Sequence, residues 1–260
     1  MKKIALIGAV ALALSAAASA AEWKEIRVAI DATYKPFTFK TPEGKPTGFD
    51  VDVAQALCDE LKAKCVFVEQ AWDGMIPGLN AKKYDAIISS MSITEDRKKA
   101  VAFTGKYYNT PSRVVVKLGT VKNVPADLKG KKIGVLKAST QEKYARGELE
   151  PAGVTIVPYE AQDQVYLDIK AGRLDGTVAD SVEVYEGFLK TADGKGWGFV
   201  GPVLSDKKYF KYFGEGAGIA VRKNDTALKA ALDKAINTIR ANGTWKKLND
   251  KYFSFDVWGS

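Results

Sequence analysis

The 260-residue chain has no histidine. Metal sites built on imidazole, and catalytic triads that move a proton through it, are therefore excluded. Two cysteines and three methionines cannot by themselves build a four-thiolate zinc site or a cysteine-held iron–sulfur cluster. No metal or other cofactor is expected. Beyond the N-terminus no apolar run approaches the ~20 residues that a membrane-spanning helix needs. A clustered basic surface is also missing. The 39 Lys and Arg exceed the 31 Asp and Glu, for a formal charge of +8, yet the lysines are scattered along the chain. That distribution reads as solvated surface and not as a nucleic-acid footprint.

What is present begins with an address. Lys2 and Lys3 precede an apolar run from Ile4 to Leu14, and small residues follow as far as Ala18, Ser19 and Ala20. This is the pattern of a secretory leader, 1–20, cleaved after Ala20. No cysteine stands at the cleavage point to accept a lipid, so the mature protein is expected to be exported and soluble. In an oxidising compartment a lone pair of cysteines is expected to be joined. Cys58 lies in a helical pattern with Val53, Leu57 and Leu61, and Cys65 opens the β-rich run to Val68. A bridge would staple a helix end to the next strand; two buried free thiols are the alternative.

Short β-rich runs alternate with amphipathic stretches, which predicts an α/β fold. Strands are expected at 26–30, 65–68, 84–88, 113–116, 132–136, 155–159 and 176–179. A late helix carries Leu228, Ala231, Leu232, Ala235, Ile236 and Ile239 on one face, with Asn224 or Asp225 as N-cap and Gly243 after its end. Around 125–130 a polar connection leads into a fresh strand, as if the chain started again. Two lobes of about a hundred residues each, with a cleft between them, suit this pattern.

Four loops at strand ends gather polar and aromatic groups, where open α/β sheets place ligands. Asp31, Tyr34 and Pro36 follow the first strand; Asp31 also suits the start of a plain turn. Ser89, Ser90, Ser92, Thr94 and Arg97 follow the third, offering hydroxyls, amides and one guanidinium to a small carboxylate. Capping by Ser92 or Thr94 would leave the serine run unexplained. Ser139 and Glu142 have the spacing of a capping box, which leaves the amides of Thr140 and Gln141 at the positive end of a helix. Asp180 ends a later strand with Glu183 spaced as another N-cap pair, and alone it reads first as a cap. Trp72 sits at a loop tip; facing Tyr34, it would sandwich a flat or cationic group. One anion site, two carboxylates and a stacking pair together suit a cationic α-amino acid.

The sequence resembles the periplasmic solute-binding proteins that serve ABC transporters for polar amino acids, nearest to the lysine/arginine/ornithine-binding and histidine-binding groups. The resemblance is carried by 48–57 (Gly48-Phe49-Asp50-Val51-Asp52 onward), 85–97, Gly134-Val135-Leu136 with Thr140-Gln141-Glu142, and 252–257. It implies a two-lobed periplasmic-binding-protein fold with two crossover strands and a ligand cleft. The implied lobes are 21–109 with 212–260, and 110–211. Further implications are Arg97 with the amides of Ser92 and Thr140 on the ligand carboxylate, and Asp180 and Ser90 on its ammonium. Tyr34 and Trp72 would flank the side chain and Asp31 would take its distal charge, with Ser89, Leu136, Ser139 and Gln141 lining the pocket. The Cys58 and Cys65 pair occupies the family's disulfide position. Trp72 departs from the leucine or phenylalanine of near relatives, and its larger ring favours a planar guanidinium. The expectation is a monomeric periplasmic receptor for arginine, then ornithine and lysine, delivering to an inner-membrane permease. An exported dehydratase on the same fold is the competing reading; without histidine its acid would have to be a carboxyl or a tyrosine.

Overall fold

The computed structural model describes residues 23–259, so the expected leader lies outside the described residues. The chain first builds β1 (Glu25–Ile30), a small hairpin of β2 (Phe39–Lys40) and β3 (Pro46–Thr47), α1 (Phe49–Glu60), β4 (Lys64–Glu69), α2 (Met75–Asn80), β5 (Ala86–Ile87), α3 (Glu95–Lys98) and β6 (Ala102–Tyr108). It then makes a second unit of β7 (Ser112–Lys117), β8 (Lys132–Leu136), α4 (Thr140–Tyr144), β9 (Thr155–Tyr159), α5 (Gln162–Lys170), β10 (Gly176–Asp180), α6 (Ser181–Val184), β11 (Trp197–Leu204) and α7 (Phe210–Phe213). It returns through β12 (Ala217–Val221), α8 (Thr226–Ala241) and α9 (Thr244–Tyr252).

Two five-stranded sheets result, ordered β4-β1-β5-β12-β6 and β11-β7-β10-β8-β9. In each, the first strand of a parallel trio lies between the second and third: β1 between β4 and β5, and β8 between β9 and β10. The fourth place in each sheet is taken by an antiparallel strand arriving from the other unit, β12 in the first and β7 in the second. The second half of the chain thus repeats the first, and residues 109–111 and 214–216 connect the two units. Each sheet is covered on both faces by apolar clusters, as parallel strands require.

Local rules explain most elements. The predicted strands appear within a residue or two, except that 84–88 shortens to Ala86–Ile87 because the buried Tyr84 side chain turns aside to donate to the Met75 carbonyl at 2.6 Å. Strands β6, β11 and β12 have no counterpart in the sequence reading: Gly105, Lys106, Gly198, Gly201 and Gly218 interrupt their apolar alternation. In α8, Leu228, Leu232, Ala235, Ile236 and Ile239 are buried, and Gly243 follows in a left-handed conformation. Asp225 flanks the helix without a side-chain cap, since its carboxylate pairs with Arg222 at 2.6 Å. Gly48, which enters α1 at φ 124°, has no room for a side chain: a Cβ there would lie 2.2 Å from the Phe37 carbonyl oxygen. That contact locks α1 against the turn carrying Tyr34.

Cys58 of α1 and Cys65 of β4 are bonded, with Cα atoms 5.7 Å apart. The bridge closes a short loop on the outer side of the first lobe. Chain-entropy arithmetic for its sequence separation of seven gives roughly 2 kcal/mol of stabilisation. Cys58→Ser with Cys65→Ser is expected to lower Tm by roughly 4 to 8 °C while leaving ligand affinity within twofold. Thermal unfolding monitored by circular dichroism checks this, and an unmoved Tm would contradict it.

Candidate functional site

The first lobe supplies one wall of a cleft. Asp31 leaves β1 with its amide donating to Ser89 Oγ at 2.9 Å, while its own Oδ1 accepts from Thr33 N at 3.1 Å and Thr33 Oγ1 at 2.7 Å. It is therefore both the turn residue and the pocket carboxylate. Burial raises its pKa, with the Thr33 hydrogen bonds acting against that. Tyr34 projects from a turn closed by paired backbone bonds with Thr38 and anchored by Phe37, which stacks on Tyr108 at 4.7 Å.

Arg97 begins from α3, where its amide donates to the N-cap Thr94 Oγ1 at 3.3 Å. Its guanidinium donates to the Ser92 carbonyl at 3.1 Å and lies 5.1 Å from the Trp72 ring centroid. Among the described residues it has no carboxylate partner, and burial brings its pKa down to about 10. Trp72 thus has a second contact besides the cavity: it stacks on the guanidinium, which the sequence reading did not foresee. Ser92 pairs with Ala217 of the returning strand, which ties this loop to the point where the chain re-enters the first lobe.

The second lobe faces these groups. Ser139 caps α4 by accepting from Glu142 N at 3.0 Å. The Glu142 carboxylate reaches back to Ala138 N at 2.6 Å, one residue earlier than a standard capping box. Thr140 opens the helix, and Gln141 donates to Ser112 Oγ at 3.0 Å. Asp180 caps α6: its Oδ1 accepts from Val182 N at 2.9 Å and Glu183 N at 3.2 Å, and its other oxygen accepts from Thr110 Oγ1. Even with these donors, burial pushes its pKa up to about 6. Glu183 does not complete a capping box. Its carboxylate is 1% exposed and accepts from the Tyr166 hydroxyl.

A cavity with about 360 Å³ of atom-free space, mouth included, is lined by Asp31, Tyr34, Trp72, Ser89, Ser90, Ser92, Arg97, Leu136, Ser139, Thr140 and Gln141. Asp180 lines the adjoining cavity toward the connections, together with Tyr34, Ser90, Ser92, Thr140 and Gln141. All twelve residues singled out from the sequence therefore meet at one cleft. Asn109, Thr110, Pro111 and Ser112 also line it; they lie where the chain crosses between lobes, in a stretch with no periodic pattern to draw attention to it. Among the described residues neither Asp31 nor Asp180 has a basic side-chain partner, so two carboxylates and one guanidinium face the space unpaired. At the rim, Lys137 of the second lobe meets Asp73 of the first at 3.1 Å, and Lys143 pairs with Asp96.

The model for bacterial extracellular solute-binding proteins, family 3, matches residues 26–255. The chain is 56% identical to an L-arginine-binding protein of Pseudomonas aeruginosa, over 100% of both chains. It is 47% identical to a histidine-binding periplasmic protein of Salmonella typhimurium, again over 100% of both. Among solved structures, a Salmonella typhimurium periplasmic binding protein described for high arginine specificity superposes with a TM-score of 0.82 at 33% identity, covering 89% of this chain and 100% of the other. The agreement spans both lobes, both connections and the cleft loops, and the chain belongs to family 3 of the bacterial extracellular solute-binding proteins.

Proposed function

We propose that this protein is a periplasmic receptor that closes its two lobes on a basic L-amino acid, arginine first and then ornithine and lysine, and presents the closed form to an ABC-transporter permease. The observation that carries this reading is the charge pattern of the cleft. One unpaired guanidinium and two unpaired carboxylates complement a ligand with one negative and two positive groups, and burial makes a mismatch costly. Arg97 and the amides of Ser92 and Thr140 receive the α-carboxylate, Asp180 and Ser90 the α-ammonium, and Asp31 the distal cation. Tyr34 and Trp72 flank the side chain, and Ser89, Leu136, Ser139 and Gln141 complete the wall. The relatives named for arginine and histidine support a basic ligand. Contacts from both lobes make the ligand favour the closed state, which is how binding becomes motion. We read the protein as breaking no bond, since the two cleft carboxylates are held by hydrogen bonds of a turn and a helix cap and are left to meet the cationic groups of the ligand.

A thermal-shift screen of the twenty amino acids with ornithine and citrulline tests this. Arginine at a hundred times its Kd is expected to add about 2.7 kcal/mol, or roughly 5 to 10 °C in Tm. Citrulline, isosteric but uncharged, should give much less; an equal shift would remove the cation from the argument. Histidine binding tenfold tighter than arginine in calorimetry would overturn the arginine preference. Arg97→Ala should weaken arginine binding by roughly 10- to 150-fold, the equivalent of about 1.5 to 3 kcal/mol for a charge-assisted pair. Undiminished affinity would eliminate the carboxylate clamp.

The absence of histidine leaves the buried carboxylates as the main side chains titrating between pH 5 and 8. Asp180 is pushed up to about 6 and Asp50 to about 7, above their unfolded values. Protonation then favours the folded state, so the ligand-free protein should gain stability as pH falls from 8 to 5. Arginine affinity should fall over the same range as Asp180 loses its charge. Melting curves and titrations at four pH values check both signs; parallel trends would contradict the assignment.

A further inference from the structure

Asp50 belongs to the segment that most marks the sequence, yet it does not line the cavity. It stands in the first turn of α1, 0% exposed, directly behind the wall formed by Ser90. Ser90 Oγ donates to Asp50 Oδ2 at 2.8 Å, and Asp50 Oδ1 is buried without a hydrogen-bond partner. The Ser90 amide donates to the Tyr107 hydroxyl oxygen at 3.1 Å. Tyr107 thus spends a lone pair on the Ser90 amide, and its buried hydroxyl neighbours the same carboxylate. Ser90 itself is held at φ 56°, in the left-handed region that serine seldom occupies. Among the described residues no basic side chain pairs with Asp50. The titratable groups around it are Asp180, Tyr107, Tyr108 and Tyr34.

A serine hydroxyl owns one proton and two lone pairs. Where that proton is taken from behind, only acceptors face the cavity. We infer that Asp50 is a positioning residue that sets the polarity of Ser90: its ionised carboxylate captures the Ser90 proton, so that Ser90 presents lone pairs to the ligand's α-ammonium. The inference rests on the proposed placement of that ammonium between Ser90 and Asp180. It also gives the buried charge a purpose. A carboxylate in this position is expensive to keep, and an apolar side chain of similar size would avoid the cost. Burial, with the Asp180 charge adding to it, pushes its pKa up to about 7. The capture therefore works best above neutrality.

The test is a double-mutant cycle on the full mature chain, read by calorimetric titration with arginine at pH 8. Asp50→Leu, which leaves nothing to accept the Ser90 proton, is expected to weaken binding at least fivefold in the wild-type background and less than twofold in the Ser90→Ala background. An equal loss in both backgrounds would mean that Asp50 acts independently of Ser90 and would overturn the inference, as would no loss in either. Asp50→Asn keeps an oxygen that can accept the same proton more weakly than a carboxylate. Its smaller loss should likewise shrink in the Ser90→Ala background, and it keeps the inference open to refutation if the leucine variant does not fold. Wild-type protein in the same titration separates the two levels of the argument. Failure of wild type to bind any basic amino acid defeats the proposed function, whereas normal wild-type binding with unaffected Asp50 variants defeats only this inference.

Discussion

Charges held apart underlie this architecture. Arg97, Asp31 and Asp180 are close enough to serve one small molecule, yet none neutralises another, because each is fastened to its own element before it reaches the cleft. Asp180 is occupied by α6 and Thr110, Asp31 by its turn, and Arg97 by Trp72 and the Ser92 carbonyl. Flexible side chains would collapse into a salt bridge and the site would vanish. Rigid hydrogen bonding prevents that, and the unfavourable burial of unpaired charges becomes free energy that a complementary zwitterion can release.

Two lobes are the economical way to arrange such a site. A single sheet delivers functional loops to one edge only. Two copies of the same β-α-β order, turned toward each other, deliver loops from both sides and leave the middle empty. The exchange of antiparallel strands, β12 into the first sheet and β7 into the second, ties each connection to a sheet centre. Both connections also contribute to the wall of the cleft, through Asn109, Thr110 and Pro111 on one side and Gly214 and Gly216 on the other. Ser92, paired with Ala217, lies beside one of these connections, so the ligand loop and the connection share a backbone contact.

Much of this was legible in the sequence because the relevant forces are local. Apolar runs predicted the parallel strands, the four-residue spacing predicted α8, and Ser139 with Glu142 predicted a helix start. Among the strands that were missed, β2 and β3 are two residues each, while β6, β11 and β12 are held by neighbours distant in the chain, and their glycines and lysines obscure any alternation. The cleft residues could be named but not assigned partners. Nothing near Asp180 in sequence announces Thr110, seventy residues earlier, and Glu183, spaced to cap a helix, finds Tyr166 instead. The stacking of Trp72 on Arg97 likewise depends on where two loops meet after folding.

The rim pairs, Lys137 with Asp73 and Lys143 with Asp96, join the lobes without touching the cavity lined by the ligand loops. Any guest that shuts the cleft brings them together to the same degree, whatever its side chain. They therefore add one common increment to every guest's binding and nothing to the differences between guests. Drift at these four exposed positions can retune how strongly the protein scavenges in a dilute or a salty surrounding, while the discriminating wall behind them is left alone.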